Sequence, residues 1–293
     1  MVVVPAAVEG VALATALVPF LLHRWDMYRW DNAHRGDHRP KGVNHSEPLT
    51  VLLPVWNESV VIEKKLDNLA AQSVPMSLVV IDSASTDATV DLVEGWLARH
   101  PSAFSSHEVL KMPTRKGKTV AVVQALEHIG QHREGLVCMT DADALLKEGV
   151  LFRMMQWFAD PMIGAVGALP NRQHAREEEQ EHRRSWDAMR LAESMVDSTP
   201  FLEGSCMMWR PSNLAIDDLN VGANADDAQI ATSVRTRGWR SIVDSKARFV
   251  DAAPATVEQQ RRQKIRRAQG LQRLLIRQRK RATAKTQGMF AKI

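Results

Sequence analysis

Leu136-Val137-Cys138-Met139-Thr140-Asp141-Ala142-Asp143 carries the clearest fold signal in this chain. It opens with an apolar run of strand length. Two carboxylates then stand one residue apart, and they repel each other unless a cation is shared. Such a pair suits a hard divalent ion, Mg2+ or Mn2+, that also holds phosphate oxygens. Comparable short runs occur at Thr50–Leu53, Leu78–Ile81, Val109–Leu110 and Ile163–Val166. Between them Ile62, Leu66 and Leu69, then Leu92 and Trp96, then Val122, Val123 and Leu126 recur at helical spacing. This alternation predicts an α/β fold whose mixed, mostly parallel sheet is covered by helices on both faces. In such sheets ligands bind beyond the carboxyl ends of the strands.

Two further strand ends resemble the first in chemistry. Pro54-Val55-Trp56-Asn57-Glu58 follows the first run and Asp82-Ser83-Ala84-Ser85-Thr86-Asp87 the second. Acidic and amide groups beside small residues suit a polar, hydrogen-bonding ligand. A dinucleotide fold would place a Gly-rich turn after its first strand, and none is present. Asp87 reads instead as a cap for the helix that follows. The two cysteines, Cys138 and Cys206, sit in apolar runs and make no disulfide framework.

The ends of the chain differ from its body. Val2 to Leu22 is an apolar stretch of about 21 residues, roughly the span of a bilayer core. It predicts a single-pass anchor over residues 1–24. A basic juxtamembrane linker over 25–48 follows, with Trp25, Tyr28 and Trp30 among Arg and Lys residues. That arrangement predicts a cytoplasmic location, at the cell membrane, for everything downstream. A secretory signal is the competing reading, but no basic region precedes the apolar run. Twelve Lys and Arg lie between Arg261 and Lys292, so the net charge of +4 becomes about −8 without them. Residues 259–293 therefore predict a basic amphipathic helix on an anionic membrane surface. Its few aromatics do not favour single-stranded nucleic acid, and no nucleic-acid partner is expected.

From Leu49 to about Gly270 these pieces together resemble the family 2 glycosyltransferases, the inverting group that includes cellulose, chitin and hyaluronan synthases. The matching segments are Val51 to Glu58, Val79 to Asp87, Arg115-Lys116-Gly117-Lys118, Asp141-Ala142-Asp143, Gly204-Ser205, Asp226-Asp227 and Gln263-Lys264-Ile265-Arg266-Arg267. The resemblance implies a GT-A catalytic domain over 49–258 that binds a nucleotide-diphosphate sugar, UDP-linked by preference. Pro54, Asn57, Glu58 and Asp82 would line the nucleotide, with Asp82 accepting from a uracil imide. Lys118 would add positive charge beside phosphate at a helix N-terminus. Asp143 would ligate the metal, with Asp141 on the metal, the sugar or the ribose. Asp227 would be the general base with Asp226 beside it, although two acids opening a helix also serve as a cap. Glu203, Gly204 and Ser205 would lie on the acceptor side, the acceptor being a glycan or lipid-linked group. Gln263, Arg266 and Arg267 would hold the pyrophosphate. Arg267 stands where the family has Trp, which argues against processive polymer synthesis. The stripe Trp186, Met189, Ala192 and Val196 reads as packing. Two other classes remain open at this point: a sugar nucleotidyltransferase, which would want a Gly-rich basic loop after the first strand, and a non-enzymatic adaptor acting through the basic tail.

Overall fold

Each apolar run becomes a strand in a computed structural model, which describes residues 38–42, 47–130, 134–173, 177–252 and 257–282 and scattered positions between 11 and 30. The strands are β1 (Leu49–Val55), β2 (Ser77–Asp82), β3 (Ser106–Lys111), β4 (Leu136–Thr140), β5 (Leu145–Leu146), β6 (Ile163–Gln173), β7 (Cys206–Trp209) and β8 (Arg240–Ala252). Helices α1 (Ile62–Ala70), α2 (Thr89–Arg99), α3 (Lys118–Ile129), α4 (Val150–Trp157), α5 (Glu177–Val196), α6 (Asp226–Thr236) and α7 (Val257–Ala282) alternate with them.

The eight-stranded sheet has the order β3-β2-β1-β4-β7-β6-β8-β5. The pairs β1–β2, β2–β3, β1–β4 and β6–β8 are parallel; β4–β7, β6–β7 and β5–β8 are antiparallel. Apolar side chains of α1, α2 and α4 pack on one face, those of α3 and α6 on the other. The expected mixed, mostly parallel sheet with two covered faces is therefore present. The chain builds outward from β1 through β2 to β3, then crosses to β4 on the other side of β1. That reversal opens a crevice at the carboxyl ends of β1 and β4.

Three connections aim functional segments at the crevice. The helices α3 and α6 each lead into a strand, β4 and β8, whose carboxyl end lies on that side. Their own N-termini, with Lys118 and Asp226-Asp227, therefore start there. β7 runs antiparallel to β4 with Cys206 opposite Thr140, so Gly204 and Ser205 arrive beside Asp141.

The expected membrane span falls largely on residues outside those described. Among the described residues no helix is long and apolar enough to cross a membrane. The described part of the linker lies on the catalytic body. The His38 imidazole donates to Val243 O at 2.7 Å and its ring lies 4.8 Å from that of Trp157. Arg210 pairs with Glu47, and a Cβ on Gly42 would stand 2.5 Å from that of Ala159. In α7 the expected apolar stripe is divided. Of the stripe Ile265, Ala268, Leu271, Leu274 and Leu275, Leu274 is buried and Leu271 half-buried, Ile265 and Ala268 are exposed, and the Leu275 side chain lies outside those described; Ile276, beside the stripe, is exposed.

Candidate active site

The loops after β1 and β2 are tied together before any ligand is considered. Asn57 N–H donates to Ser85 Oγ (2.9 Å), and Thr86 N–H donates to Asn57 Oδ1 (2.8 Å). Asn57 has φ of 55°, which asparagine tolerates better than most residues. Both carboxylate oxygens of Asp82 accept from Ser85 N–H at 3.1 Å. Asp87 accepts from Thr89 N–H (3.0 Å) and Ser59 N–H (3.2 Å). Slight burial opposes its ionisation, but these hydrogen bonds prevail and hold Asp87 at about 2. Above this loop Arg115 stacks on Trp56, the guanidinium carbon 3.2 Å from the ring centroid.

At the end of β4 the carboxylates are divided between two kinds of partner. Asp141 accepts from Lys118 Nζ (2.5 Å) and from Ser205 Oγ (3.0 Å). Lys118 also lies 3.7 Å from Asp226 Oδ2, a buried oxygen with no hydrogen-bond partner. Gly117, at φ of 93°, makes the turn that starts α3 with Lys118. Burial alone would lower the Lys118 pKa, but Asp141 and Asp226 outweigh it and raise it. Asp143 is raised by burial and by Asp141. Glu58 is pushed up to about 7 by burial, then by Asp143, Asp141 and Asp87.

This donor set fits a divalent cation. Asp141 and Asp143 repel each other, Glu58 adds to the strain, and a shared cation relieves all three. Among the described residues no cluster of three or more metal-ligating side chains is assembled. Two carboxylates completed by phosphate oxygens and water are the usual arrangement for Mg2+ in phosphate sites.

Opposite them α6 begins with Asp226-Asp227. Its N-cap, Ala225, has φ of 67°, left-handed backbone that alanine adopts at a cost. Asp227 accepts from Ala228 N–H (2.8 Å) and Gly204 N–H (3.3 Å). Burial, then Asp226 and Glu203, push it up to about 6. The Glu203 carboxylate is itself held by Arg183 (3.1 Å) and Arg190 (3.0 Å) of α5, so it is committed to that helix. These groups surround a cavity of about 550 Å³, lined on one side by Pro54, Glu58, Ser83 and Asp143 and on the other by Asp227, Glu203 and Phe201, with Arg266 and Leu271 of α7 at its edge. The side chains of Gln263 and Arg267 lie outside those described.

The sequence profile of the glycosyltransferase-like family 2 matches residues 46–270. The chain belongs to that family. The mannosyltransferase PcManGT of Pyrobaculum calidifontis, solved with GDP-Man and Mn2+, is 30% identical with a TM-score of 0.75 over 91% of this chain and 73% of its own. Staphylococcus aureus TarS 1–349, solved with UDP-GlcNAc, shares the fold at 18% identity, with a TM-score of 0.55 over 73% of this chain and 60% of its own. The poly-beta-1,6-N-acetyl-D-glucosamine synthase of Staphylococcus aureus (strain COL) is 22% identical over 245 residues, 80% of this chain. The chain spans 57% of the length of that synthase.

Several residues at or behind the cavity of this family 2 enzyme carried no signal of that place in sequence. Lys65 follows a helical stripe yet is fully buried, its Nζ donating to Thr140 Oγ1 (2.7 Å) and to Ala144 O. Trp186, read as packing, lines the cavity together with Arg190. A periodic apolar stripe marks a face and cannot say whether one of its members borders a cleft.

Proposed function

We propose that this protein is a metal-dependent inverting glycosyltransferase. It moves a hexosyl or N-acetylhexosaminyl group from a nucleoside-diphosphate donor to a hydroxyl of a glycan or lipid-linked acceptor. The observation that carries this reading is the placement of Asp227, pushed up to about 6, across one cavity from Asp141 and Asp143. Asp227 takes the proton from the acceptor hydroxyl, and that oxygen attacks the anomeric carbon from the side opposite the diphosphate. The bond from that carbon to the diphosphate oxygen breaks, and configuration inverts. Lys118 brings positive charge to the departing diphosphate, helped by the N-terminus of α3. Asp143 and Asp141 would hold Mg2+ or Mn2+, which supplies Lewis-acid stabilisation of the leaving group. The family resemblance around Asp82 makes uridine the first base to test, and the GDP-Man of the 30% identical mannosyltransferase makes guanosine the second. Attachment to the cytoplasmic membrane face is part of the same proposal and is supported by the apolar stretch Val2 to Leu22 and the basic tail.

A panel of UDP- and GDP-sugars with Mn2+ tests the reading through nucleotide release and sugar transfer. Asp143→Ala and Asp227→Asn are each expected to lower transfer by at least about a hundredfold. Asp227→Asn should leave nucleotide affinity within a fewfold. The base acts deprotonated, so kcat/KM should rise with pH through about 6 and level off above it. Undiminished turnover in both variants would overturn the assignment.

A further inference from the structure

On the Asp227 side of the cavity stand two aromatic side chains that the chemistry above does not use. Trp186 of α5 and Phe201 of the loop before β7 meet with ring centroids 4.9 Å apart and planes inclined at 49°. Both border the cavity. Both are only half-buried, and neither belongs to the two buried clusters that hold the sheet. Their position is tied to the reacting centre. Phe201 lies three residues before Gly204, whose N–H donates to Asp227 Oδ2 at 3.3 Å.

A buried cation fixes the pair in place. Arg190 is fully buried. Its Nη1 donates to Phe201 O (3.2 Å) and to Glu203 Oε1 (3.0 Å), and its Nη2 to Asp187 Oδ1 (2.5 Å). One guanidinium therefore holds the carbonyl of one aromatic residue and the chain neighbour of the other. Each ring has few alternative positions, and a ligand meets a surface formed in advance.

We infer that Trp186 and Phe201 form a subsite for a pyranose ring of the acceptor, so that the acceptor is itself a glycosyl group rather than a bare lipid phosphate or alcohol. This rests on the glycosyltransferase reading and specifies its second substrate. A pyranose presents a face of C–H groups and a rim of hydroxyls. The face packs on the indole, and the rim remains available for polar contacts, one hydroxyl being directed to Asp227.

The experiment compares acceptors and variants using the donor that the panel identifies. Octyl pyranosides are set against octanol with the full-length protein, which is expected to prefer a pyranoside by tenfold or more in kcat/KM. Trp186→Phe should keep the acceptor KM within about threefold of the unchanged protein. Trp186→Leu and Trp186→Ala should each raise it about tenfold, equivalent to about 1.4 kcal/mol, while the donor KM moves less than about twofold. If Leu serves as well as Phe, the ring is packing and the subsite is refuted. Octanol accepted as readily as the pyranosides refutes it without any variant. A protein that turns over no nucleotide-sugar would instead sink the reading of the reaction, so the two failures are distinguishable.

Discussion

Lys65 is the side chain whose role is furthest from its appearance in sequence. It sits one position before Leu66 on an amphipathic helix, where a lysine normally reaches solvent. Here its Nζ donates to Thr140 and Ala144, the residues on either side of Asp141-Ala142-Asp143. It therefore clamps the turn that carries both metal-binding candidates. Lys65→Met keeps the volume and removes the donor, leaving Ala144 O unpaired at a cost of about 1–3 kcal/mol. Donor turnover should fall along with the thermal midpoint. The titration has a definite sign. Burial lowers Lys65 to about 8, so between about 8 and the ordinary lysine value the unfolded chain binds the extra proton. Stability from this group thus grows as pH rises through that window, by at most about 1.4 kcal/mol per pH unit. Denaturant melts of the unchanged protein and Lys65→Met across this range should diverge. Parallel curves would place the clamp elsewhere.

Helix α7 meets the turn that opens α6 at a point where only glycine fits easily. A Cβ on Gly270 would lie 3.1 Å from the Cβ of Ala225, the left-handed residue that launches Asp226-Asp227. Gly270→Ala gains about 1 kcal/mol of helix propensity and loses about 1–3 kcal/mol to overpacking. It should also displace the turn and lower kcat. Ala225→Gly removes the opposing methyl and the left-handed penalty of about 1–2 kcal/mol. In the double variant kcat should therefore recover, and a cycle on thermal midpoints should give a coupling of at least about 0.5 kcal/mol. Additive effects would mean that the two elements do not press on each other. Contacts of this kind leave no trace in sequence. The helices were legible because Ile62, Leu66 and Leu69 mark a face; Ala225 was not, because alanine carries no signal for positive φ. Likewise the short apolar run Cys206–Trp209 does not stand out as a strand in sequence and becomes one by pairing with β4.

On the scale of the whole molecule, the order of the strand ends was enough to locate the crevice, since β1, β2 and β4 each deliver their polar residues to one side of the sheet. The second wall of the cavity was harder to read. It is assembled from α5, the approach to β7 and the start of α6, segments distant in sequence whose meeting depends on antiparallel pairing. Charge follows the same division between body and tail. Without the basic residues from Arg261 onward the body carries about −8, and α7 packs Leu274 inward while Ile265 and Ile276 stay exposed. With part of its apolar stripe spent on the catalytic domain, the proposed hold of α7 on a membrane would rest mainly on electrostatic attraction, about 1 kcal/mol per basic residue near an anionic surface. A chain lacking residues 1–24 should therefore sediment with phosphatidylglycerol vesicles at low salt. It should be released at about 1 M, where the Debye length falls to about 3 Å. The full chain should resist that wash, because burial of the apolar stretch Val2 to Leu22 is not screened by ions. Release of both proteins by salt would leave the tail as the sole attachment, and retention of both would assign tail binding to Ile265 and Ile276.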